Sequence, residues 1–253
     1  MRGPDLNQQH STGEFLASLA FDVLERLRVM AVAGIFVGVL VGGLASRVAM
    51  GLLRVTTGAS VHGVTSDDGF IIGRATLGGT YGLLMLGAVV GMIGATAYRA
   101  VAPWLIGPNW FRRVTTAAAS GAVVGSMLLH ADGIDFRLLE PTWLAMGLFV
   151  GLPALFGAVI GPVVDRVTAP GSWTSRWPWV WVLPIVLVAM FPPTLLVLVV
   201  AAPIVAVWAP LRDLGLVDLQ HRLIVRQTVR AAWLAVAIAG LIALVNDVRA
   251  ISA

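Results

Sequence analysis

Hydrophobic positions run along this chain in long unbroken stretches, and polar ones gather in short islands between them. Between Arg28 and Arg47 lie 18 uncharged residues. As an α-helix they rise roughly 27 Å, close to the thickness of a bilayer's hydrocarbon core. Comparable runs predict further spans over about 75–98, 114–130, 143–164 and 231–246. A membrane β-barrel would show short segments of alternating polarity instead, and the sequence has none.

Segment 177–208, WPWVWVLPIVLVAMFPPTLLVLVVAAPIVAVW, is too long for one straight span and is interrupted by Pro192-Pro193. Tryptophans mark both of its ends, as they do at membrane–water interfaces. The pattern predicts a proline-tipped hairpin, either re-entrant or a pair of short tilted spans, with a single crossing as the alternative. Charge favours the hairpin, because it leaves the loop 209–230 on the cytoplasmic side. The inner arginines are then Arg2, Arg26, Arg28, Arg99, Arg112, Arg113, Arg166, Arg176, Arg212, Arg222, Arg226 and Arg230, twelve of 17. This orientation places the N-terminus in the cytoplasm and the C-terminus outside.

Ahead of the first span, Ser11-Thr12-Gly13-Glu14 has the form of a capping box. Phe15, Leu16, Leu19, Val23 and Leu27 follow at helical spacing, with Glu14, Ser18, Asp22 and Glu25 opposite. Residues 11–28 therefore read as an amphipathic helix in the membrane interface, after a disordered tail at 1–10. Residues 29–246 form a single transmembrane domain, and 247–253 a C-terminal tail. The expected fold is an all-α polytopic transmembrane helical bundle of about six spans, its fifth region the broken hairpin.

Glycines four residues apart recur through the spans: Gly34/Gly38/Gly42, Gly78/Gly82, Gly87/Gly91, Gly121/Gly125, Gly147/Gly151 and Gly157/Gly161. In lipid, where apolar side chains gain nothing by leaving solvent, small residues at this spacing let helix backbones touch. Close packing within one bundle is the leading reading, and a dimer seam the alternative. A faint repeat accompanies them. Asp68-Gly69 leads into a glycine-rich span ending at Tyr98-Arg99, and Asp132-Gly133 into one ending at Asp165-Arg166, as two tandem helical hairpins would.

Composition narrows the class. The chain is 58% hydrophobic and 12% charged, with a mean hydropathy of +0.89, well outside the range of soluble domains. It has no cysteine, which excludes disulfides and thiolate chemistry. All 17 basic residues are arginine, a usage that suits a GC-rich bacterial genome and hence a bacterial plasma membrane. These arginines sit at the ends of spans without interleaved aromatics, so the high pI is no sign of a nucleic-acid partner.

Two polar islands hold the candidate chemistry: HGVTSDDGFIIGR at 62–74, and the loop from His130 to Pro141. With the N-terminus inside, both fall on the outer face. They gather His62, Asp67, Asp68, His130, Asp132, Asp135 and Glu140, and Arg47, Arg54, Arg74 and Arg137 share that side. His130, Asp132 and Asp135 could supply neighbouring ligands to a divalent cation. Alternatively, Arg47, Arg54, Arg74 and Arg137 clamp an anion such as a lipid phosphate, and one of Asp67, Asp68, His130, Asp132 or Asp135 acts as acid or base. The leading reading is plainer: Asp-Gly steps make turns and caps, and nearby arginines neutralise the acids.

On the inner side, Arg222, Arg226 and Arg230 recur every four residues, and Asp218 precedes Arg222 by four. They predict an interfacial helix that holds anionic headgroups. No nucleophile elbow, P-loop, His-Glu-x-x-His or dinucleotide-binding glycine fingerprint is present, so no motif requires a cofactor.

Three function classes remain. The leading one is a membrane subunit or scaffold that packs through glycine-rich faces, its partners being membrane lipids and a membrane protein or a second copy. The second is a membrane-embedded enzyme acting on a lipid or isoprenoid at the outer interface, and the third a transporter or channel.

Overall fold

The computed structural model describes residues 28–58, 63–64, 76–130, 133, 136, 138–177 and 223–252, and every regular element among them is helical. Helix α1 (residues 30–56) runs continuously through stretches of π winding, Met30–Gly34 and Gly38–Ala45, and α winding, Ile35–Val37 and Ser46–Thr56. Helix α2 is Leu77–Val101, closed by a 3₁₀ turn at Ala102–Trp104; α3 is Asn109–Leu128 and α4 is Thr142–Thr168. After a one-turn helix at Trp173–Arg176 comes α5, Leu223–Ser252. Four stretches are long and apolar enough to cross a membrane: Ala31–Thr56, Leu77–Trp104, Thr142–Thr168 and Arg226–Ser252. The chain is thus a helical membrane protein by the length and composition of its helices.

Helix α3 is the more polar exception. It carries Asn109, Arg112, Arg113, Thr115, Thr116 and Ser120, and it lies between α4 and α5. Its threonines bond back to carbonyls a turn earlier, Thr116 Oγ1 to Arg112 O at 2.7 Å and Thr115 Oγ1 to Phe111 O at 2.9 Å. Such back-bonding satisfies a hydroxyl without a partner helix.

Successive helices along the chain from α1 to α4 alternate in direction. Along the α1/α2 seam, Gly34 faces Met92, Gly38 faces Gly87 and Gly91, and Gly43 faces Leu84. Between α3 and α4, Gly157 meets Thr116 and Ser120, and Gly125 meets Val150. Arg28 donates to Val167 O at 3.3 Å, joining the start of α1 to the end of α4. At the other end Thr57 Oγ1 donates to Glu140 O at 3.1 Å and accepts from Glu140 N at 3.2 Å. Helix α5 runs alongside α3 in the same direction: Arg230 reaches Trp104 O, Gly240 touches Val123, and Leu244 joins Leu53, Leu129 and Ala145 in one apolar cluster.

Two ends follow from this arrangement. One, the arginine end, holds the starts of α1, α3 and α5 and the ends of α2 and α4. The other, the loop end, holds the opposite termini. Helix α4 finishes and α5 begins at the arginine end, so the described residues on either side of 178–222 stand at the same end. The Pro192-Pro193 hairpin itself lies outside the described residues, as do the tail at 1–10 and all of the amphipathic helix 11–28 except Arg28.

The helices are longer than the apolar runs alone suggest. Helix α1 continues through Arg47, Gly51 and Arg54 to Thr56, and Gly58 follows two residues beyond its end. Helix α3 begins at Asn109, ahead of the expected 114, just after Pro108. Helix α5 runs to Ser252, so 247–252 continue the helix, with Arg249 in its last turn where a cation complements the helix dipole. Arg226 and Arg230 belong to this same continuous helix and not to a separate interfacial one.

Candidate functional site

At the loop end the described residues of the expected outer cluster are His130, Glu140, Arg47 and Arg54. His130 is exposed just past the end of α3, and Glu140 is exposed just before α4. Thr57, only 5% exposed, fastens the exit of α1 to Glu140 through the two hydrogen bonds above, so the first loop departs from where the second arrives. Phe136 is buried and packs edge-on against Phe149, ring centroids 5.1 Å apart, which draws the second loop back onto the bundle. Arg54 is exposed. Arg47, about two turns deeper along α1 than Arg54, is half-buried, and its Nε and Nη2 are buried without a hydrogen-bond partner. His62, Asp67, Asp68, Arg74, Asp132, Asp135 and Arg137 lie outside the described residues. Among the described residues, no three His, Asp or Glu side chains stand close enough to hold a metal ion.

The arginine end is more fully visible. The last carbonyls of a helix have no intrahelical partner, and here arginines supply donors. Arg112 Nη2 donates to Ala102 O at 2.9 Å and Arg230 Nε to Trp104 O at 3.0 Å, so two guanidinium groups cap the turn that ends α2. At the end of α4, Val167 O accepts from Arg28, from Ser172 Oγ at 3.1 Å and from Thr174 Oγ1 at 3.2 Å. Cations at helix C-termini also oppose the negative pole of the dipole. Arg230 therefore shares the α2 exit turn with Arg112, while Arg222 lies outside the described residues.

Between the ends of α2 and α4 and the first turns of α3 lies a shallow cleft open to solvent. Its walls are Tyr98, Asn109, Arg112, Arg113, Thr116 and Asp165, and its floor is Gly157, Gly161 and Pro162 of α4. The floor is backbone because the sequence puts small residues there: a Cβ at Gly161 would lie 2.7 Å from the Tyr98 hydroxyl. Pro162 brings no N–H of its own, which leaves the carbonyl one turn earlier without its helical donor. Arg112 spends one nitrogen on Ala102 O, and its Nε is buried without a partner. Arg113, Asn109 and Asp165 are exposed at the rim. Arg99, Arg112, Arg113 and Asp165 all lie within electrostatic range of the Tyr98 hydroxyl, three cations to one anion.

Sequence reading gave this cleft no functional role, because it assigned Arg99, Arg112 and Arg113 to membrane orientation alone. One signal pointed toward it. The repeat that ends one glycine-rich span at Tyr98-Arg99 ends the other at Asp165-Arg166, and Tyr98 and Asp165 meet across the cleft.

Comparison of this chain with protein-family models, with curated proteins and with solved structures returns no match.

Proposed function

We propose that this chain is a non-catalytic membrane subunit or scaffold that packs against a second copy or a membrane protein through glycine faces its own bundle leaves open. One observation carries the reading. Most of the four-residue glycine repeats are consumed inside the bundle, but among the described residues a Cβ at Gly78, Gly82, Gly147 or Gly151 would meet nothing within 4 Å. Both open pairs lie in the early turns of helices that start at the loop end, where a partner helix could approach the backbone closely. Arg28, Arg99, Arg112, Arg113, Arg166, Arg176, Arg226 and Arg230 collect at one end and Arg47, Arg54 and Arg249 at the other. The positive-inside rule then sets the arginine end in the cytoplasm. The segment between α4 and α5 is read as the hairpin, which brings the bundle to about six spans.

The test uses the absence of native cysteine. Single cysteines at Gly82 and Gly147 should form disulfide-linked dimers, or link to one defined partner, in the native membrane. Native mass spectrometry from gentle detergent should show the same assembly. A chain that stays monomeric and unlinked in membranes would refute the scaffold reading.

Arg47 supports a second reading, an enzyme acting on a lipid or isoprenoid at the outer interface. Two unpartnered guanidinium nitrogens at the loop end suit an anionic substrate. Under this reading Asp68→Asn and Asp135→Asn abolish turnover while the amount of folded protein stays unchanged.

A further inference from the structure

We infer that the cleft between α2, α3 and α4 binds a phosphodiester headgroup that carries its own hydrogen-bond donor, the phosphate taken by Arg112 and Arg113 and the donor by Asp165. The inference rests on the membrane-embedded reading of the chain but not on its oligomeric state.

The argument starts from what the cleft leaves unsatisfied. Arg112 is fixed in place by its bond to Ala102 O, so its remaining donors are pre-positioned. Among the described residues, Arg113 and Asp165 line one cleft yet form no ion pair with each other or with Arg112, so neither charge is neutralised by a direct partner there. Guanidinium forks match phosphate oxygens, and Asn109 and the Tyr98 hydroxyl add neutral donors along the same wall. Asp165 changes the specificity. A carboxylate repels a bare phosphate, so it favours a ligand whose phosphate is followed by a hydroxyl or ammonium group that the carboxylate can accept from.

Position agrees with chemistry. The cleft opens where three helices reach the end of their apolar length, with Trp104 and Trp110 close by in sequence and Trp173 just beyond α4. That is the depth at which phospholipid phosphates lie. The glycines of α4 let Thr116, Ser120 and Tyr98 close directly onto its backbone, which keeps the cleft shallow and leaves Arg113, Asn109 and Asp165 exposed at its rim.

The experiment is native mass spectrometry of the full chain, purified in gentle detergent and exchanged into equimolar phosphatidylethanolamine and phosphatidylcholine, which carry the same net charge. The wild type should retain phosphatidylethanolamine, whose ammonium group has N–H donors, in preference to phosphatidylcholine, which has none. Arg113→Gln, at an exposed position, should lower that retention about fivefold, the effect of one cationic charge near lipid phosphates. Asp165→Asn should lose the preference for phosphatidylethanolamine over phosphatidylcholine, a change of selectivity that a purely structural aspartate would not produce. Added inorganic phosphate that displaces the lipid would identify a soluble phosphate compound as the natural source, and no displacement would identify the lipid.

Equal lipid retention by the wild type and by folded Arg113→Gln, or unchanged selectivity in Asp165→Asn, would overturn the assignment. Should Arg113→Gln fail to fold, Asn109→Leu at the exposed start of α3 serves in its place, with the same reading. Protein–protein and protein–lipid masses separate in one spectrum, so loss of the dimer and loss of the lipid are told apart.

Discussion

Two of the seams in this bundle, α1/α2 and α3/α5, differ in kind. Along α1/α2, contact is backbone on backbone: a Cβ at Gly38 would lie 2.8 Å from Gly91 Cα, and one at Gly87 would lie 2.8 Å from Gly43 N. Along α3/α5, one glycine, Gly240, meets Val123, and one guanidinium, Arg230, reaches a carbonyl of the α2 exit turn. Only 6% of the most apolar window of α5 is buried, against 39% for α1. Apolar area gains nothing by moving from lipid to protein, so a seam in a membrane is only as strong as its close packing and its hydrogen bonds. The first seam has the former along its length. The second has each at a single point.

The difference can be attacked first where it is largest. Gly38→Leu forces a side chain into backbone that cannot yield, and should cost at least about 3 kcal/mol. The check is loss of folded protein in a detergent unfolding titration; a variant as stable as the wild type would mean that the seam is not closed as described. Next, Arg230→Met removes a charged hydrogen bond worth about 1.5–3 kcal/mol. It should free α5 selectively, so hydrogen exchange should rise in residues 223–252 and stay unchanged in α1 and α2. Uniform exchange throughout would show that α5 is not the separable element.

A smaller effect is expected at the loop end. Thr57→Val removes both bonds to Glu140 and should cost about 1–2 kcal/mol, read as a lower melting temperature with an unchanged helical spectrum. The smallest belongs to the open glycines. Gly78→Leu and Gly147→Leu should change the stability of the isolated chain by less than about 0.5 kcal/mol while weakening its assembly. If either unfolds the monomer as Gly38→Leu does, the contrast between used and unused glycines fails.

Legibility in the sequence followed the same physics. The apolar runs marked the helices because backbone groups in lipid must bond within their own segment. Helix ends were less legible, since charge does not stop a helix: α1 passes Arg47 and α5 passes Asp247. The cleft was hidden, because Arg112, Asp165 and Tyr98 come from three helices, and each alone reads as an ordinary interfacial residue. Of the outer cluster, the described residues show where Arg47, Arg54, His130 and Glu140 stand, and they show no metal-sized group among themselves.

The sequence by itself determined that this chain is a set of apolar helices with glycine-lined faces, because hydrophobic length and small-residue spacing are local quantities that each segment carries on its own. Only the tertiary structure decided which glycines are spent inside and which stay open, that α4 ends where α5 begins, and that Tyr98, Arg112, Arg113 and Asp165 share one cleft. These are relations between segments distant along the chain, and they are set by how closely backbones can approach, which no single segment encodes.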